Sequence, residues 1–432
     1  MPTDPNLYLV TPTSPTPATS GRARAGDEKV LRWVYFCGAV LATLSVAGKN
    51  PSLALVAIGA GCLILKTLWR PNEAPTLFFI CGYQWLQAAC PILQAELDGV
   101  TVSAKFGGVS FEQATLLSVI GVTAFSLGAA LATTFWAPKR GLADWENIRR
   151  LALAPAFGIW LVCFAANSLF PGVFLGGSLR QGVQHLVYLG TIATELLIFQ
   201  TAILHGRGRG MAVLILLAEL MVGLTGYFSG FRQVFYLIIL AIWSVMGVKR
   251  SAVVWMAITL VPLLTLSVFW ATIKGDYRAY VNEGTNLQEV NVSLRDRQAF
   301  LRRALEDTDR HRLMDGLDGT LQRIGYIEIF GLCYENVPRN VPHANGRLWK
   351  EALLHVLMPR VLFPDKPELA DSERTNEFSG STFAGADAGT SIGIGYVGES
   401  YIDFGVPGMF VPIFIIGFLL GGAYYEIGRA HV

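Results

Sequence analysis

Ten stretches of roughly twenty apolar residues punctuate this chain, and no water-soluble core could bury all of them. Their extents are 30–48, 51–69, 75–94, 114–137, 151–170, 184–205, 211–228, 232–248, 251–273 and 405–425. A bilayer core of ~30 Å takes about 20 helical residues to cross. Within it every backbone N–H and C=O must be paired inside the protein, which leaves helices or closed barrels. The expected fold is all-α: a polytopic integral membrane protein of about ten transmembrane helices, with a large extracytoplasmic loop before the last. Composition agrees, at 52% hydrophobic and 15% charged residues. The mean hydropathy is +0.44. A net charge of +2 gives no reason to expect nucleic acid as a partner.

Basic residues orient the chain, because cytoplasmic loops collect Lys and Arg. With the N-terminus in the cytoplasm, Lys66 and Arg70, the cluster Lys139, Arg140, Arg149 and Arg150, the pair Arg207 and Arg209, and the pair Lys249 and Arg250 all fall inside. The outward turns hold only Lys49, Lys105, Arg180 and Arg232. Inverting the chain or removing one span puts several basic clusters on the wrong side.

The expected organisation follows. Residues 1–28, rich in Pro, Ser and Thr, read as a disordered cytoplasmic tail, and 29–273 hold nine spans. The first apolar stretch is read as a retained helix and not a signal peptide, since no small-residue cleavage site follows it. Residues 274–404 form one extracytoplasmic, periplasmic domain, too long for a simple connection, and 405–425 are the tenth span. Residues 426–432 read as a translated sequencing adapter, so the natural chain is expected to continue past Tyr425. Of the six cysteines only Cys333 lies in the long polar segment, so no disulfide framework is expected.

Inside that segment Ser293 is placed to cap a helix with Phe300, Leu301 and Leu305 on one face. A second helix carries Leu317, Leu321, Ile324 and Ile327. A third, from Asn345 to Leu357, has an apolar face of Leu348, Trp349, Ala352, Leu353 and Val356, which suits the membrane interface.

Two outer motifs carry charge. Tyr227-Phe228-Ser229-Gly230-Phe231-Arg232-Gln233 is a turn so tight that Arg232 sits at the headgroup level. There it either grips a phosphate with two N–H groups or simply snorkels to the interface. In Met358-Pro359-Arg360-Val361-Leu362-Phe363-Pro364-Asp365-Lys366-Pro367, three prolines stiffen a loop bearing two cations. A glycine-rich approach, Gly398-Glu399-Ser400-Tyr401-Ile402-Asp403-Phe404-Gly405, leads into the tenth span.

The Ser-Gly-Phe-Arg turn at 229–232, the Pro-Arg and Phe-Pro-Asp-Lys-Pro loop at 359–367, the Gly-Glu-Ser-Tyr stretch and the late outer loop together resemble the bacterial O-antigen and exopolysaccharide repeat-unit polymerases of the Wzy type. The resemblance implies a multi-pass protein of the bacterial inner membrane. It also implies glycosyl transfer on undecaprenyl-pyrophosphate-linked oligosaccharides at the outer face, beside a chain-length regulator and a lipid-linked-oligosaccharide flippase. Such a reaction expels a lipid pyrophosphate, and its growing negative charge needs fixed positive partners. Asp307-Thr308-Asp309 reads as a solvated helix face, so neither a metal nor a cofactor is expected. The catalytic candidates are Arg232 and Arg360 on the pyrophosphate, with His343 or Glu399 as base for the acceptor hydroxyl. Arg180, Arg339, Lys366 and Tyr401 are expected to bind substrate.

Two other readings remain. A ligase that moves finished glycan to another acceptor shares the donor and the chemistry. Glu195 and Glu219, at similar depth in neighbouring spans, suit a proton-coupled secondary transporter, since carboxylates inside a membrane mark pathways. Against the transporter stand the large outer domain and the lack of a repeated half.

Overall fold

The computed structural model describes residues 32–70, 75–136, 152–169, 177–227, 230–246, 250–285, 290–325, 327–358, 362–363, 371–383 and 392–429. Every regular element among them is helical. In chain order these are α1 (32–45), α2 (Pro51–Leu68), α3 (Thr76–Leu97), α4 (Val102–Phe106), α5 (Val109–Trp136), α6 (Leu153–Leu169) and α7 (Gly177–His205). There follow α8 (Arg209–Thr225), α9 (Arg232–Met246), α10 (Arg250–Val281), α11 (Leu294–Asp307), α12 (Arg310–Gly325), α13 (Ile327–Asn336), α14 (Arg347–Leu357), α15 (Asp371–Ser379), α16 (Tyr396–Gly408) and α17 (Phe410–Arg429).

Five of them, α2, α3, α5, α7 and α10, are long and apolar enough to cross a bilayer, and a sixth is reached if the bent pair α16–α17 counts as one span. This is fewer than the ten apolar stretches of the sequence. In α6 and α9 the apolar helices cover only Leu153–Asn167 and Arg232–Met246, and α8 has 17 residues. At about 1.5 Å per residue such helices fall short of a ~30 Å core. The residues expected to extend them, 170, 228 and 247–248, lie outside the described set, as does the expected N-terminal tail.

Two apolar cores form. The first joins α2, α3, α5 and α17 to α13–α16 and buries Ile64, Cys81, Phe125, Phe330, Ile402 and Ile413. The second joins α6–α10 around Trp160, Ile198, Phe199, Phe231 and Trp270, with Phe300 and Leu301 of α11 packed on it. In lipid the hydrophobic effect does not drive helices together, so close backbone contact must. Gly128 of α5 and Gly417 and Gly421 of α17 supply it: each lies against the backbone of the facing helix with no room for a methyl group.

Helix α12 spans both cores. Its Gly316 abuts Thr272 and Val268 of α10, and a Cβ on its Gly325 would meet Pro91 Cδ of α3 at 3.2 Å. Cys90 Sγ donates to the Leu321 carbonyl at 3.2 Å across the same contact. Aromatic packing joins the cores again where Trp243 of α9 meets Trp69 and Phe79, with ring centroids 5.3 and 5.1 Å apart.

The long polar segment forms helices near where the pattern placed them, except that Ile327, expected on the second, begins α13 instead of continuing α12. Ser293 caps α11, its hydroxyl accepting from the Asp296 N–H at 3.3 Å. The exposed side chains of Leu353, Val356 and Leu357 leave an apolar row on α14. The expected start of the last span at residue 405 falls inside the bent pair, where α16 and α17 meet at 118°. Gly405 (φ 60°) and Val406 break the helix there, and Pro407 supplies no N–H to continue it.

Candidate functional site

Charge collects near the seam between the two cores, starting from the turn between α8 and α9. Gly223 lets the Phe231 backbone pass directly against it, a contact that leaves no space for a side chain. The turn is also clamped. Tyr277 Oη and Arg297 Nη1 both donate to the Thr225 carbonyl, at 2.7 and 2.6 Å. Arg278 Nε donates to the Tyr227 carbonyl at 3.3 Å, and its guanidinium lies 4.6 Å from the centre of the Tyr227 ring. With Phe231 fully buried beside it, Arg232 is held so that its Nε is buried and has no hydrogen-bond partner among the described residues.

Three more cations surround Arg232. Lys274 and Arg278 lie one turn apart on α10, and Arg323 stands in the last turn of α12. Lys274 is within electrostatic reach of Arg323, Arg278 and Arg232, and Arg323 is within reach of Arg232. Arg232, Lys274 and Arg323 form no ion pair with any described residue. Arg232 also starts a helix, where the backbone dipole is already positive. Such a cluster repels itself, and a bound anion removes the cost while satisfying the stranded N–H. Lys274 and Arg278 are half-buried and Arg323 is exposed, so the protein leaves the cluster open on the α12 side. Tyr83 of α3 and Tyr236 of α9 meet beside Arg232, each about half exposed.

The other candidates fall elsewhere. His343 donates from Nδ1 to the Ile402 carbonyl at 3.1 Å, which leaves Nε2 with its lone pair available to take a proton. Its ring stands edge-on to Tyr401, centroids 5.6 Å apart. Tyr401, expected to touch substrate, is instead 6% exposed, and its hydroxyl donates to the Val337 carbonyl at 2.8 Å, so it supports His343 from within the core. Glu399 is half-buried on α16 among Arg374, Asp371 and Asp403. Asp403 caps α14, accepting from the N–H groups of Leu348 and Trp349 at 3.1 and 2.8 Å. Arg339 is exposed in the turn after α13. Arg180 belongs to α7 with its side chain outside the described set, and Arg360 and Lys366 lie outside it altogether.

The structure thus groups Arg232 with Lys274, Arg278 and Arg323, which sequence reading passed over, and sets His343, Tyr401 and Glu399 around α16 in the other core. A family model described as a domain of unknown function, DUF8712, matches residues 105–422. The chain belongs to this family. No curated protein and no solved structure matches it significantly. The DUF8712 region runs from α4 into α17 and contains all four clustered cations together with His343 and Glu399.

Proposed function

We propose that this protein is a membrane glycosyltransferase that polymerises undecaprenyl-pyrophosphate-linked oligosaccharide repeat units into O-antigen or exopolysaccharide. It works at the outer face of a bacterial inner membrane, with ten spans and a cytoplasmic N-terminus, and residues 274–404 lie on the periplasmic side. The observation that carries the reading is the grouping of Arg232, Lys274 and Arg323, none of them ion-paired with a described residue, beside Arg278 and around a buried guanidinium Nε of Arg232 that has no hydrogen-bond partner among the described residues. A pyrophosphate matches that need in charge and in acceptor oxygens, and guanidinium groups bind it through two N–H groups each.

In this reaction the acceptor hydroxyl attacks the anomeric carbon and the bond from that carbon to the pyrophosphate oxygen breaks. Negative charge grows on the leaving oxygen, and cations already fixed in place stabilise it without reorganising. The hydroxyl proton passes to water as the new bond forms, His343 and Glu399 around α16 position the acceptor glycan, and Arg180, Arg339, Arg360 and Lys366 assist in holding the substrate. A chain-length regulator and a flippase for the lipid-linked oligosaccharide act alongside.

Proteoliposomes holding the purified protein and lipid-linked repeat units test this reading, with products resolved by gel. A ladder of lengths is expected. Transfer of single finished chains to a separate acceptor indicates the ligase instead. Failure to consume the donor under any acceptor sinks both.

A further inference from the structure

Away from the cation cluster, Glu195 of α7 and Glu219 of α8 lie side by side in the helix group built on Trp160. Glu195 is completely buried. Its Oε1 accepts a hydrogen bond from Trp160 Nε1 at 3.0 Å. Its Oε2 is also buried and has no hydrogen-bond partner among the described residues.

Among the described residues, the neighbouring stretches of α6, α8 and α9 offer no cation to neutralise two negative charges. Between Met211 and Thr225, α8 contributes no charged residue except Glu219, and α9 contributes none between Gln233 and Met246. From α6 the one titratable side chain is the Cys163 thiol, and Trp160 is the donor. The buried threonines of α7, Thr191, Thr194 and Thr201, spend their hydroxyl protons on backbone carbonyls of their own helix.

An ionised carboxylate only accepts hydrogen bonds, so two of them cannot bond to each other, and in a place without water they repel. A single proton changes both facts. It makes one carboxyl a donor, gives the stranded Oε2 its partner and halves the buried charge.

We infer that Glu195 and Glu219 form a proton-binding site between the apolar helices α7 and α8, with one proton shared between Glu195 Oε2 and a carboxylate oxygen of Glu219. The indole N–H aimed at the pair favours a proton over a metal cation, which a donor at that position repels. The site is independent of the glycan-transfer reading, since none of its groups belongs to the cation cluster.

Dicyclohexylcarbodiimide enters bilayers and adds to protonated carboxyl groups, so it probes the pair in native membranes. The wild-type protein is expected to carry the adduct on Glu195 or Glu219 by peptide mass spectrometry. Its infrared spectrum is expected to show a protonated-carboxyl carbonyl absorption that is lost in the Glu195→Gln, Glu219→Gln double variant. Sharing is tested by Glu219→Gln alone, which replaces the partner carboxyl of Oε2 by an amide: the protonated-carboxyl absorption should shift in frequency. A wild type showing neither adduct nor absorption overturns the site. An absorption of unchanged frequency and intensity in Glu219→Gln overturns the sharing.

Discussion

Gly223 and Phe231 touch backbone to backbone across the turn between α8 and α9, and this contact aims Arg232 into the cation cluster. Replacing Gly223 by Ala forces the turn open. Overpacking of this kind costs about 1–3 kcal/mol, so a lower Tm is expected together with shorter or absent polymer. Gly82→Ala is the control, because nothing lies within 4 Å of a Cβ at that position. Equal losses in the two variants would show that the close approach has no bearing on the site.

Arg232→Ala should reduce polymer formation by about a hundredfold, the scale seen when one fixed donor to a developing anion is removed. Arg232→Lys should rescue it poorly, since an ammonium lacks the planar fork. Gel ladders from membranes containing each variant read both effects. An unchanged ladder in Arg232→Ala takes this residue out of the mechanism.

Lys274→Met removes one of the mutually repelling cations while keeping the apolar stem. The free protein should melt at a higher temperature, and binding of undecaprenyl diphosphate should weaken, because function here is held at the expense of stability. Thermal melts with and without that lipid measure both. A variant that is less stable and binds equally well would mean the lysine is structural.

Much of this architecture is legible in the residues. Apolar stretches mark the long helices α2, α3, α5, α7 and α10, Ser293 announces α11, and the interfacial pattern over 345–357 becomes α14. The cation cluster was legible only in part. Arg232 stands out because its turn is short, whereas Lys274 and Arg278 look like ordinary charges at the end of a span. Their spacing was the available signal: like charges four residues apart share one helix face and destabilise it unless something binds there. Arg323 could not be placed from sequence, since its arrival depends on how α12 crosses α3 and α10. The bend at Gly405 was equally hidden, because glycine and proline near a span end suit either a softened helix start or a full break.

Cys333 is fully buried, and burial pushes its thiol up to about 12, so it stays protonated and unreactive at neutral pH. An impermeant maleimide should leave it unmodified in intact and in opened cells, and should modify it after denaturation. Topology is therefore better read at the exposed position 339. Arg339→Cys should react in intact spheroplasts, and reaction only after lysis would invert the orientation assumed for the outer segment.

Asp403→Ala removes the carboxylate that accepts from the Leu348 and Trp349 N–H groups at the start of α14. Loss of such a cap costs about 1 kcal/mol and should loosen α14. Hydrogen exchange at residues 347–350 is expected to quicken. Protection equal to wild type there would show that the cap does not hold the helix.

Helix α12 rests on both groups of spans and carries Arg323, while Arg232, Lys274 and Arg278 come from one group alone. The spacing of the charges is thus a gauge of how the two halves are seated. Anything that slides one half against the other, whether a lipid wedged at Tyr83 and Tyr236 or a neighbour pressing on the long polar segment, retunes the grip on an anion without touching an arginine.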